Sequence, residues 1–523
     1  MKAASIDEPS LEARVGEILN RWPVAGLAVG VVRHGSLAWF YRHGVAGIET
    51  GMPVGRDTVF RIGSVTKTVT AIAVMQLWEQ GLVDLDAPAA DYLRAYRLIP
   101  AKRGFRPATL RHLLTHTAGV RAVRDPSDLL RPALGWGTRP GHPAPPLAEY
   151  YRGGLHIDVE PGSKWAYSNH GFATLGQIVE DVSGLSLGRY LREHVFGPLG
   201  MDHSDLTRSA RVRPGLATGY VLRSRGLKQV TDREVVPAGA GSVYSTTGDM
   251  ARYAAALLDD GANEHGRVLR PGTLATMFEP SYRPDPRIPG MGLGFFRGQI
   301  GPHPTVGHDG IWPGFHSALV LAPGQGTGVV AFANTGPFSP LAAAGPVASA
   351  VLRGVLGLPE DAVRVGAPEQ PWVWGDLCGW YSLGPGVLTD PQPRMFGGVE
   401  VAVRHGHLIV RGQLPLPAVR NGLRLYPDGD DPYAFRINLP GFGSGTSSLV
   451  FGRDRGGRVT AVHLGVQPLS FQKRPGARNP GLPVAAALAA SAAMLAAGHR
   501  RRAHLAVAIK GRKPELDPAE ESR

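Results

Sequence analysis

The sequence predicts an α+β fold: an antiparallel sheet flanked by helices, with a second, small all-β barrel-like domain behind it. Three observations lead there. β-rich runs at residues 26–32 and 37–41, separated by Arg33-His34-Gly35-Ser36, carry the signature of an N-terminal hairpin. A second such pair comes after residue 310, where residues 316–321 and 328–333 flank the turn Pro323-Gly324-Gln325-Gly326. Between the pairs lie helical patterns at residues 66–80 (ended by Gly81), 110–115, 171–182 and 247–259. The simplest architecture builds one sheet from both ends of the domain and inserts a helical section between them.

The barrel-like domain is read from a change of rhythm. Residues 359–371 are polar, contain Pro and lack periodicity, which marks a linker. Short alternating runs follow at 380–383, 398–403, 407–410, 423–426, 433–437, 448–451 and 459–464, punctuated by Gly, Asp and Pro. The expected division is therefore a main domain over 1–358, a linker over 359–371, a barrel over 372–473, and an Ala-rich helix with a basic tail over 474–523. A chain of 523 residues exceeds one ordinary core, and 43% apolar against 19% charged residues excludes wholesale disorder.

Charge and cysteine content narrow the function classes. The 56 Lys and Arg exceed the 43 Asp and Glu by 13. Nine cations against four acids from Arg474 onward place about five of those charges in the tail. The remainder is only moderately basic, so no nucleic-acid partner is expected. The run His499-Arg500-Arg501-Arg502 with Lys510, Arg512 and Lys513 leaves contact with nucleic acid or peripheral contact with anionic lipid as the alternatives to a solvated tail. The single Cys378 excludes a disulfide framework and a Cys-rich zinc site. Residues 1–21 read as an amphipathic helix interrupted by Glu8, Glu12 and Glu17, without a secretory apolar core. Residues 482–498 are mostly Ala and fall short of the ~20 apolar residues of a span. The expected location is cytoplasmic.

Three short strings carry the candidate chemistry. In Gly63-Ser64-Val65-Thr66-Lys67, positions 64 and 67 stack one turn apart if Ser64 opens a helix, so an amine reaches the hydroxyl. Val65, Val69, Ile72 and Met75 mark that helix as buried, and burial lowers an amine's pKa toward that of a base. The bland alternative is a Ser cap with a surface Lys. Next, Tyr167-Ser168-Asn169 sits ahead of a helical pattern, where a phenol relays a proton and an amide holds Lys67 and a substrate carbonyl. A core Tyr with an Asn cap fits the same string. Finally, His308-Asp309-Gly310-Ile311 lies at the mouth of the second hairpin. There Gly310 admits close backbone approach, the Ile311 N–H is a second oxyanion donor beside that of Ser64, and His308 tunes Tyr167.

Decoys exist for each string. Ser470-Phe471-Gln472-Lys473 repeats the first spacing, and His463-Leu464-Gly465 repeats H-x-G. Gly184-Leu185-Ser186-Leu187-Gly188 matches the nucleophile-elbow string but follows a helical pattern instead of a strand. His112 and His116 lie four apart without the glutamate of a zinc protease, and read as core or capping residues.

The order S-x-x-K, Y-S-N, H-x-G resembles that of the penicillin-recognising serine hydrolases: class C β-lactamases, DD-peptidases, D-aminopeptidases and related esterases. Phe60-Arg61-Ile62-Gly63, Leu113-Leu114-Thr115-His116-Thr117-Ala118-Gly119, Pro198-Leu199-Gly200-Met201 and Gly241-Ser242-Val243-Tyr244-Ser245-Thr246 extend the likeness over roughly residues 10–355. The resemblance implies a β-lactamase/transpeptidase-like fold and a cofactor-free, metal-free hydrolase. It implies that Ser64 is acylated, that Lys67 and Tyr167 move protons, and that Asn169, His308, Gly310 and Ile311 bind substrate or its oxyanion.

The substrate would be a small ester, or a peptide or amide bond next to a small or D-configured residue. The C-terminal runs, with Gly379-Trp380-Tyr381 and Leu449-Val450-Phe451, resemble the lipocalin-like domain of several such enzymes, which borders the cleft, mediates assembly or only stabilises. One departure matters: His308 stands where β-lactamases carry the Lys of Lys-Thr-Gly. A His near neutrality is charged part of the time, so poor β-lactam turnover is expected. Acyl transfer, β-lactam hydrolysis and a non-catalytic scaffold remain the alternatives, and the oligomeric state is not legible.

Overall fold

His34 and Gly35 both take positive φ, 52° and 75°, as a two-residue I′ turn requires, and fold β1 (Gly26–Arg33) back on β2 (Ser36–Gly47). The computed structural model describes residues 6–125, 127–128, 135–223, 225–336, 343–363, 365–383, 398–412, 417–439 and 445–474. The Ala-rich run and the basic cluster lie outside them. With β3 (Met52–Pro53), β4 (Phe296–Ile300), β5 (His303–Trp312), β6 (Phe315–Ala322) and β7 (Thr327–Ala333), the main sheet has the order β4-β5-β6-β7-β1-β2-β3. β1 pairs with β7 from Leu27↔Ala333 to Arg33↔Thr327, so the two ends of the domain share one antiparallel sheet, as expected. β4 and most of β5 went unmarked because Gly298, Gly301 and Pro304 interrupt the apolar alternation that reveals strands.

Each strand's period of two sorts its side chains between two helical layers. Leu27, Val29 and Val31 meet Leu11 and Val15 of α1 (Glu8–Arg21) and the Val347 and Val351 stripe of the C-terminal helix at Ala344–Val355. Ala28 and Val32 face the inserted helical section, where Val69, Ile72 and Phe172 join the same buried cluster. That section contains α2 (Thr66–Glu79), α3 (Asn169–Ser183) and α4 (Thr247–Leu258), and the helix at Ala344–Val355 becomes α5. α2 is buried on all sides from Thr66 to Leu77, the pattern of a core helix. α3 starts two residues earlier than the periodicity indicates because Ser168 caps it, its side chain accepting from the Gly171 N–H at 3.3 Å.

The C-terminal strands are β8 (Gly379–Ser382), β9 (Val399–Arg404), β10 (His407–Gly412), β11 (Leu423–Arg424), β12 (Tyr426–Pro427), β13 (Ala434–Asn438), β14 (Thr446–Arg453), β15 (Val459–Leu464) and β16 (Ser470–Lys473). Their order is β11-β10-β9-β8-β16-β15-β14-β13-β12, all antiparallel. The two end strands are separated in the chain by the buried Leu425 alone, so the sheet curls until its ends nearly meet, and a nearly closed barrel has few exposed edges. The run expected at 423–426 is thus two strands, and Ser470–Lys473 is a further strand outside the expected runs. Among the described residues no helix is long and apolar enough to cross a membrane.

Candidate active site

Gly63, Ser64 and Val65 form a single 3₁₀ turn that runs straight into α2, which places Ser64 and Lys67 one turn apart on one face. Gly63 takes φ +48°, and a Cβ there would stand 2.7 Å from the Ile311 amide nitrogen. Only glycine lets the turn lie this close to β5. Lys67 is fully buried, and its Nζ lies 2.9 Å from Ser64 Oγ, 2.7 Å from Asn169 Oδ1 and 2.8 Å from the Ala240 carbonyl. Desolvation holds its pKa well below that of a free lysine. The two carbonyl-type oxygens accept only. They occupy both N–H groups of an uncharged amine and leave its lone pair for the Ser64 hydroxyl proton.

The loop that carries Tyr167 hangs on the turn after residue 114. The Ala166 N–H donates to the His116 carbonyl at 2.8 Å, the Gly162 N–H to the Thr117 carbonyl at 2.7 Å, and the Ser168 N–H to His116 Nδ1 at 3.2 Å. The His116 ring packs against the Tyr167 ring at 4.3 Å between centroids. Lys67 Nζ sits 4.9 Å from the Tyr167 ring centroid, and the phenol shares a hydrogen bond with Ser64. Burial raises its pKa despite that bond, so the phenol keeps its proton. Asn169 is the first residue of α3 instead of a loop residue.

His308, Gly310 and Ile311 lie within β5, where they pair with Leu319, Ser317 and His316 of β6 beside the open end of the β6–β7 hairpin. A Cβ on Gly310 would fall 2.0 Å from the Ile62 carbonyl oxygen and 2.3 Å from Ser317 Oγ, which itself donates to Ile62 O at 2.7 Å. That contact presses β5 onto the residue before the nucleophile turn. His308 is 4% exposed, and burial pushes its pKa down to about 3. The part-time charge expected from sequence is therefore absent near neutrality. Asp309 alternates to the other face, where its carboxylate would be 3.7 Å from a Cβ on Gly345 at the start of α5.

The structure thus brings Ser64, Lys67, Tyr167, Asn169, His308, Gly310 and Ile311 around one point. It also adds partners that sequence reasoning missed. The Ala240 carbonyl comes from a single helical turn, Ala238–Gly241, with no side-chain signal to reveal it. His116 was read only as a core or capping residue. Trp165, on the Tyr167 loop, belongs to the same apolar cluster as Leu377, Tyr381, Phe451 and Phe471 of the barrel, with Tyr167 and Phe296 packed against it. Arg287 adds polar contacts to the barrel, 2.8 Å to Asp431 and 2.7 Å to the Phe451 carbonyl. The barrel therefore forms one wall beside the site. The decoys resolve differently: Ser186 caps a short helix, and His112 completes a capping box with Thr109.

A family model described as beta-lactamase matches residues 12–352. Penicillin-binding protein 4 of Amycolatopsis lactamdurans is 30% identical over 350 residues, covering 63% of this chain and 86% of that protein. Esterase EstB of Burkholderia gladioli is 29% identical over 289 residues, 48% of this chain and 71% of its own. Among solved structures, the octameric penicillin-binding protein homologue from Pyrococcus abyssi shares the fold. Its TM-score is 0.56 at 21% identity, over 90% of this chain and 100% of that one, a span that reaches past the main sheet into the barrel.

Proposed function

The chain belongs to the beta-lactamase family of serine hydrolases, and from that premise we propose that it cleaves small esters or amide bonds next to small or D-configured residues through an acyl-enzyme on Ser64. The observation that carries this reading is the fully buried Lys67 amine 2.9 Å from Ser64 Oγ, with both its N–H groups taken by Asn169 and Ala240. Lys67 takes the Ser64 proton as Oγ attacks the carbonyl, and the Ser64 and Ile311 N–H groups stabilise the tetrahedral oxyanion.

Tyr167, protonated, gives its proton to the leaving group and recovers one from Lys67, which returns the amine to its uncharged state. Water then attacks the ester by the same route in reverse. Residues 1–358 perform this chemistry, and the barrel over 372–473 shapes the leaving-group side through Trp165 and Phe296. Incubation with a fluorophosphonate probe tests the reading. Wild type labels and Ser64→Ala does not; absence of label from both leaves only a scaffold.

A further inference from the structure

We infer that His116 is a positioning residue for Tyr167: its imidazole, a hydrogen-bond acceptor carried on a left-handed backbone, fixes the phenol where it protonates the leaving group. The inference rests on the acyl-enzyme reading above and adds a residue to its machinery. The helix at Leu110–Leu114 ends with Thr115 as its cap. Two bonds turn the chain out of it, from the His116 N–H to the Leu113 carbonyl at 3.3 Å and from the Thr117 N–H to the His112 carbonyl at 2.8 Å. That pattern needs a left-handed residue directly after the cap, a place glycine usually takes. His116 takes it instead, with φ +57°.

A histidine is costly there. Its Cβ disfavours positive φ, and its Nε2 is buried with no hydrogen-bond partner among the described residues. Glycine would avoid both costs. What the side chain supplies in return is directed at Tyr167. Nδ1 accepts the Ser168 N–H at 3.2 Å, so the lone pair is at Nδ1 and the proton at Nε2. The His116 carbonyl accepts the Ala166 N–H at 2.8 Å, so one residue ties the peptide on each side of Tyr167. The imidazole also lies 4.3 Å from the Tyr167 ring and 5.0 Å from that of Phe172, between centroids. Burial holds its pKa well below the ordinary value, so the acceptor persists near neutrality. With both neighbours tied and its ring packed, the phenol is kept at Ser64, with which it shares a hydrogen bond. A strained conformation that glycine would relieve is retained for what the side chain does.

The test uses the full-length protein and the acetate esters of p-nitrophenol, phenol and ethanol. p-Nitrophenolate departs as an anion, whereas ethanol departs only with a proton, so the demand on Tyr167 rises along the series. His116→Gly keeps the left-handed turn and loses the acceptor. Its kcat/KM is expected to fall about 100-fold on the ethyl ester and only about 10-fold on the p-nitrophenyl ester, a steeper dependence on the leaving group. His116→Asn, which tolerates positive φ and offers an amide oxygen, keeps that dependence within about threefold of wild type. An equal loss on all three esters, no loss in His116→Gly, or a dependence as steep in His116→Asn overturns the inference. Fluorophosphonate labelling of the same preparations separates the failures. Wild type that is unlabelled, or labelled but inert on every ester, sinks the acyl-enzyme reading, whereas an active wild type with an unchanged dependence in His116→Gly sinks this inference alone. If His116→Gly does not fold, His116→Ala, which also lacks the acceptor, is read in its place; if neither folds, His116 only stabilises and the inference falls.

Discussion

The chain contains S-x-x-K and H-x-G twice, and the two regions make different things of them. At Ser64 the spacing falls across a 3₁₀ turn and a helix, where positions three apart share a face, and Lys67 meets the hydroxyl at 2.9 Å. At Ser470 the same spacing falls on β16, where positions three apart point to opposite faces. There Ser470 pairs with His463 on the neighbouring strand β15, Oγ to Nδ1 at 2.8 Å, while Lys473 donates to the Asp376 carbonyl. Both Ser470 partnerships lie within one antiparallel ladder. A motif therefore becomes a site through the periodicity of its element and through the third segment that meets it, here β5 with Gly310 pressed on Ile62.

The sharpest break in that contrast is at the nucleophile. Ser64→Ala and Lys67→Arg each reduce kcat on the order of 10⁴-fold or more, since a guanidinium cannot accept the Ser64 proton, and steady-state rates with p-nitrophenyl esters check this. Tyr167→Phe removes the proton donor and costs kcat about 10²- to 10⁴-fold on the same substrates. Gly310→Ala forces a Cβ against the Ile62 carbonyl, at a cost of about 1–3 kcal/mol and a lowered Tm with weakened labelling of Ser64.

Acid titration moves stability less abruptly. His170 and His308 are pushed down to about 3 and His316 to about 4 by burial, against an ordinary value near 6.5. Between those limits the unfolded chain binds protons that the folded one refuses. Stability therefore falls as pH drops from about 6.5 toward about 4, by about 1.4 kcal/mol per pH unit for each such histidine, and urea midpoints read it. Ser470→Ala produces the smallest change: kcat stays within about twofold, because its partner His463 lies in the barrel ladder and not at Ser64.

Local patterns made much of this legible. The all-buried α2 was visible in the run from Val69 to Leu77, and the sheet shared by the chain's two ends was visible in its paired hairpins. What stayed hidden depends on long-range approach. The Ala240 carbonyl contributes a backbone oxygen, which any residue has, so no residue type advertises it. Trp165 joins barrel residues more than 200 positions away, and nothing in its own loop predicts that partner. The neutral state of His308 follows from its burial on β5, which the H-x-G string by itself does not reveal.

The claim that Lys67 is an uncharged base at Ser64 is tested most directly by the rate of fluorophosphonate labelling between about pH 5 and about pH 10, with the modified residue identified by mass spectrometry. The account predicts labelling at Ser64 that rises along one titration with a midpoint well below 10.5, and its loss in Lys67→Arg. A flat profile, a midpoint at the free-lysine value, or undiminished labelling of Lys67→Arg would contradict it.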